Sequence, residues 1–192
     1  MTRAPLAPTA PVIVIDLQTG MFDGVVDPPI HQAVRLAAQA RAVIDWARRT
    51  GRKVAFVRHD GAPTDWLAPG AGGWPVWPAL GQARAEPTFQ KSVGDAFSQP
   101  ALADWVAGLG ADEVILLGAQ TDACVAATVK GALARGLKVT VVADAHSTWD
   151  HGGKTATEII SEHNGLFAAD GARVASVETL TGGSGGDADI AS

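Results

Sequence analysis

Short unbroken apolar runs alternate along this chain with longer stretches in which apolar residues return every three or four positions. The first run, Val12-Ile13-Val14-Ile15, ends at Asp16. Such a run fits a strand buried on both faces, as in a parallel sheet. Residues 31–50 then carry Leu36, Ala40, Val43 and Ala47 at helical spacing, with Gly51 as the stop. Val54-Ala55-Phe56-Val57 reads as a second strand and closes a βαβ unit, for which a right-handed crossover is the rule. Thr88-Phe89-Gln90 is a short strand ending at Lys91, followed by a turn over residues 92–97. Residues 100–109 predict a helix with Ser98 as N-cap and Gly110 as stop. Three further strands are expected over residues 113–117, 137–143 and 173–177, and two further helices over 126–135 and 154–164. Residues 144–150 read as a polar loop.

This alternation predicts an α/β fold, a three-layer α/β/α arrangement around a six-stranded, mostly parallel sheet. One segment breaks the pattern. Residues 61–85 have no clear period yet hold Trp66, Trp74 and Trp77. A long structureless loop in a compact domain is usually functional or disordered, and its tryptophans argue against disorder. A lid, a subunit contact and a satellite apolar cluster all fit it.

Composition narrows the partners. A net charge of −5 disfavours nucleic acid and offers no basic face to a membrane. A single cysteine excludes an intrachain disulfide and a cysteine-cluster metal site, and it fits a reducing compartment. No run approaches signal-peptide or transmembrane length, so a cytoplasmic location is expected. One domain over residues 11–180 is expected, with a flexible lead-in at 1–10 and a glycine-rich flexible tail at 181–192.

The lone cysteine, Cys124, falls between the strand at 113–117 and the helix at 126–135. At such a corner the helix dipole favours a thiolate, and free N–H groups can hold an oxyanion. A small buried hydrophobe is the alternative for any free cysteine. Asp16, Lys91 and Cys124 each follow a predicted strand, and open α/β sheets bind ligands outside the carboxyl ends of their strands. Asp16 can accept the thiol proton. Lys91 can pair with Asp16 and keep positive charge beside the sulfur. Amides near Gln120 and Cys124 can form an oxyanion hole. Attack on an amide or ester carbonyl then gives a tetrahedral adduct, a thioester and, with water, the acid. His59 and His146 also fall near strand ends, so a Cys–His pairing stays open on these grounds.

Three segments carry a family resemblance: Val14-Ile15-Asp16-Leu17-Gln18, Gln90-Lys91-Ser92 with Ala96-Phe97, and Gly118-Ala119-Gln120-Thr121-Asp122-Ala123-Cys124-Val125 with Thr128. Val142-Ala143-Asp144-Ala145 extends them. The chain resembles the isochorismatase-like cysteine hydrolases, which include nicotinamidases and N-carbamoylsarcosine amidases. The resemblance implies an Asp16–Lys91–Cys124 triad and a cis peptide between Ala119 and Gln120 that turns the Gln120 N–H toward an oxyanion. It also implies the sheet order 3-2-1-4-5-6 and a homo-oligomer, either a dimer or a tetramer. Nicotinamidases carry an Asp-x-His and further histidines after the second strand, where they bind a metal. Here that region offers only His59-Asp60, so neither a metal nor another cofactor is expected.

With Cys124 present, the expected substrate is a small amide, ureide or carbamoyl compound. Vinyl-ether hydrolysis is one alternative, and relatives with that activity commonly lack the cysteine. A non-catalytic binding module with a relic triad is another. No G-x-G-x-x-G follows the first strand, which argues against a dinucleotide site. Phe22 and Trp149 are candidate substrate walls by position, with ordinary core packing as the alternative.

Overall fold

The computed structural model of the protein describes residues 6–182. Among them, six strands form one all-parallel sheet: β1 (Val12–Ile15), β2 (Val54–His59), β3 (Thr88–Lys91), β4 (Glu113–Ala119), β5 (Lys138–Ser147) and β6 (Arg173–Ala175). Their order is β3-β2-β1-β4-β5-β6, as the resemblance implies. Ile15 is in register with Val57 on one side and Gly118 on the other. The order reverses between β1 and β4, and this switch point is where such sheets open a crevice.

Alternation along the strands builds two cores. Val12 and Val14 of β1 pack with Ile115 and Leu117 of β4 on one face. Ile13 and Ile15 pack with Val114 and Leu116 on the other. The first face is covered by α1 (Ala33–Arg49) and α5 (Val177–Thr181), through Leu36, Val43, Ile44, Val177 and Leu180. The second is covered by α2 (Pro100–Gly108), α3 (Ala126–Ala134) and α4 (Ala156–Ala169), through Leu102, Val106, Val129 and Phe167. Period-2 side chains on a sheet buried from both sides produce the unbroken apolar runs seen in the sequence.

Several boundaries differ from expectation. β5 runs on through Ser147, so residues 144–147 are strand rather than loop. Their polarity hid this, because each polar side chain has an internal partner; the Ser147 hydroxyl, for example, donates to the His31 carbonyl at 2.7 Å. α4 starts after a capping box in which Thr155 and Glu158 bond each other's backbone N–H. It then continues past Gly165 because Phe167 buries in the second core. α2 begins with Pro100 at its first position, and its N-cap is Gln99, not Ser98. The short α5 was not expected. It is capped by Ser176 and ends at Thr181, the first residue assigned to the tail. The rest of that tail, residues 183–192, lies outside the described residues, as do residues 1–5.

Of the described residues ahead of β1, Ala7 and Pro8 are hydrogen-bonded to the body of the fold. Arg52 donates to the carbonyls of Ala7 and Pro8, and the Ala7 N–H donates to Glu113. No helix among the described residues is long and apolar enough to cross a membrane.

Candidate active site

The turn after β1 sets the first functional side chain. Asp16 has φ 51°, in the left-handed region, where aspartate is among the few side chains found with any frequency. Its N–H donates to Val57 O at 3.0 Å, and Gln18 N–H donates back to Asp16 O at 2.8 Å. The chain thus leaves the sheet sharply while the carboxylate stays buried, 1% exposed.

Lys91 ends β3, two strands away from β1. Neighbouring strands lie about 4.8 Å apart, so its long stem has to cross the end of β2. It does so fully buried. Its ammonium donates to Asp16 Oδ2 at 2.6 Å and to Cys124 Sγ at 3.2 Å.

Cys124 sits in a one-turn π-helix, Thr121–Val125, between β4 and α3. Such turns recur at functional sites. The peptide joining Ala119 to Gln120 is cis. Thr128 of α3 accepts from the Ala96 N–H at 3.0 Å, which holds the loop after Lys91 against the helix that follows the cysteine.

The influences on the thiol oppose one another. A helix start and a nearby ammonium favour a thiolate. Burial, and then the charge of Asp16, push the Cys124 thiol up to about 11, with Lys91 pulling only partly the other way. Burial also lifts the Asp16 carboxyl above its ordinary range, against the opposing pull of Lys91. Both shifts run toward the protonated forms: the thiol is harder to ionise and the Asp16 carboxyl is more basic than usual, with the Lys91 ammonium bonded to both.

Gln18, fully buried, clamps the end of β2. Its amide nitrogen donates to His59 O at 3.1 Å and to Trp74 O at 2.9 Å, and its oxygen accepts from His59 N–H at 2.8 Å. The tryptophan-rich segment folds onto this end of the sheet. Trp74 donates to Asp60 at 2.8 Å, Trp66 donates to Asp23 at 2.9 Å, and Gln18 pairs with Val76 as an isolated bridge. The segment thus covers the loop after β1.

The nucleophile turn is braced from behind. Asn164 donates its side-chain N–H to Ala143 O at 3.1 Å, so its oxygen faces His146 Nε2 at 3.0 Å. Nε2 therefore carries the ring proton, and the bare Nδ1 accepts from the Thr121 hydroxyl at 2.9 Å. His146 is committed to this brace and is not the thiol's base. Burial, outweighing its bond to Asn164, lowers its pKa from the ordinary 6.5 to about 4. A histidine that is harder to protonate when folded gives stability that is present above pH 6.5 and lost as pH falls toward 4. Between pH 7.5 and pH 5 the protein should therefore lose about 2 kcal/mol more unfolding free energy than a His146→Gln variant. Urea titrations of both proteins at the two pH values test this, and equal losses would contradict it. On the open side, Asp122 accepts from Thr148 at 2.7 Å and pairs with His151 at 2.6 Å, latching the loop after β5 to the turn.

The remaining expected site residues separate. Trp149 donates to Pro28 O at 2.7 Å and lines an open cleft together with Gln120, His31 and His151. Phe22 is core: it is 8% exposed, stacks on Trp77 at 5.0 Å, and faces a groove on α1 rather than that cleft. One nitrogen of His59 lies within 4.8 Å of both an Asp16 carboxylate oxygen and Cys124 Sγ. These three donors could suit a cation, but the Lys91 ammonium already bonds two of them. Gln18 was visible in the sequence only as part of a motif. Nothing in the sequence marked Asn164.

Known proteins match this architecture. The isochorismatase domain profile covers residues 10–166. Two streptothricin hydrolases of Streptomyces noursei are 31% identical over 149 residues and 32% identical over 139 residues, covering 78% and 72% of this chain. The chain spans only 58% and 50% of their lengths. The crystal structure of an isochorismatase from Pseudomonas putida KT2440 superimposes with a TM-score of 0.85 at 27% identity, covering 93% of this chain and 94% of that one. With the profile matched over residues 10–166 and the sheet superimposing on a known isochorismatase, the chain belongs to the isochorismatase family.

Proposed function

We propose that this protein is a cysteine hydrolase that cleaves a C–N bond of a small molecule through a thioester at Cys124. The observation that carries this reading is the position of the Lys91 ammonium, 2.6 Å from Asp16 and 3.2 Å from the sulfur, in a buried site at the sheet's switch point. Asp16 takes the thiol proton as sulfur attacks the carbonyl carbon. The Gln120 amide, just ahead of the π turn, and the Cys124 amide within it receive the oxyanion. Collapse re-forms the carbonyl and breaks the C–N bond, and Asp16 returns the proton to the departing nitrogen. Asp16 then deprotonates a water that attacks the thioester, and the released thiolate recovers that proton. Lys91 keeps its charge throughout and offsets the charge that moves between oxygen and sulfur.

The streptothricin hydrolases make streptothricin the first compound to try, followed by simple amides, ureides and carbamoyl compounds. Single-turnover mixing with mass spectrometry is expected to show the acyl group on Cys124 and the amine or ammonia in solution. Product formation with no adduct at any quench time, and with unaltered turnover after the cysteine is blocked, would contradict the thioester route.

A further inference from the structure

Among the described residues, four buried side-chain nitrogen or oxygen atoms have no hydrogen-bond partner: Asp16 Oδ1, His59 Nδ1, Arg52 Nε and Arg58 Nε. The two guanidinium groups lie over the rings of Trp46 and Trp74. The other two atoms belong to residues of the triad region. Buried polar atoms are nearly always paired, so each exception needs a reason. Asp16 Oδ1 has one, as a place for the thiol proton. His59 Nδ1 has none in the chemistry described so far.

The backbone that carries the ring is also held in place. Gln18 binds both backbone groups of His59, and the next N–H, that of Asp60, donates to Lys91 O at 2.7 Å. Two of the three N–H donors of Lys91 are already engaged, by Asp16 and by Cys124. Around a tetrahedral carbon at Cys124, the sulfur is covalently bound and the oxygen belongs to the amides. The nitrogen lone pair takes its proton from Asp16, which leaves the N–H of the scissile group to be met.

Building on the cysteine-hydrolase reading, we propose that His59 is a specificity-determining residue that accepts a hydrogen bond from the N–H of the scissile group. This bond turns the nitrogen lone pair toward Asp16, which delivers the proton taken from the thiol. The site is thereby selective for amides, ureides and carbamoyl compounds that carry an N–H, over esters with the same acyl group. Selectivity of this kind is strong because a buried acceptor is left unmet by the wrong substrate.

The test compares p-nitroacetanilide with p-nitrophenyl acetate, which deliver the same acetyl group from nitrogen and from oxygen. The ratio of kcat/KM for anilide to ester is measured in the wild type, His59→Leu and His59→Gln. The ratio should fall about tenfold or more in His59→Leu and recover in part in His59→Gln, whose carbonyl can accept. A residue that only shapes the fold would lower both rates together, so an unchanged ratio overturns the proposal. So does a wild type that consumes the ester but never the anilide. Absence of acetyl-Cys124 in the wild type treated with the ester is a separate signature, and it overturns the cysteine-hydrolase reading beneath.

Discussion

Cys124→Ala is expected to abolish hydrolysis, lowering kcat/KM by at least ~10⁴-fold, because no other group at the site can form the acyl intermediate. It is the cleanest of the triad substitutions. Removing Lys91 or Asp16 alone strands a buried charge, which typically costs about 3–5 kcal/mol and blurs any kinetic reading. The thiol is neutral at rest, so its loss leaves the 2.6 Å Lys91–Asp16 pair in place. The wild-type thiol itself gives a second readout. With its pKa near 11, on the order of one molecule in 10⁴ is thiolate at pH 7. Alkylation by iodoacetamide should therefore be slower than for a free thiol of pKa about 8.5, and should rise with pH toward 11. A rate that levels off below pH 8 would mean a preformed thiolate and would remove Asp16 from the role of base.

Gly118→Ala is expected to destabilise the fold by at least ~4 kcal/mol or to prevent folding. Gly118 has φ +138°, a conformation that side chains rarely adopt. A Cβ there would lie 2.0 Å from the carbonyl oxygen of Ile15, its register partner in β1. Both obstacles are backbone, so no rotamer change relieves them. β1 and β4 would have to part where Asp16 and the nucleophile turn depart. Urea unfolding followed by circular dichroism measures the effect. A loss below about 2 kcal/mol would show that the strand pair yields more easily than a close-packed sheet should.

The alternating pattern was enough to place all six strands and the larger helices, because a sheet covered on both faces imposes long apolar runs and helices impose a 3.6-residue return. It was less reliable at the ends. Ser147 reads as loop because its hydroxyl is polar, and only the His31 carbonyl that receives it makes burial tolerable. Asp16, Lys91 and Cys124 were legible as strand-end residues because parallel topology sends all such ends to one edge. Their electrostatics were not. A helix start suggests a thiolate, but partial burial and the charge of Asp16, a residue distant in sequence, push the thiol the other way. The tautomer of His146 and the clamp of Gln18 on His59 likewise arise from partners 18 to 41 positions away. The order of apolar and polar positions determined the architecture and the edge at which chemistry gathers. Which atoms are desolvated, bonded or left waiting for a substrate was decided only by tertiary packing, because hydrogen bonds and dielectric environment act through space and not along the chain.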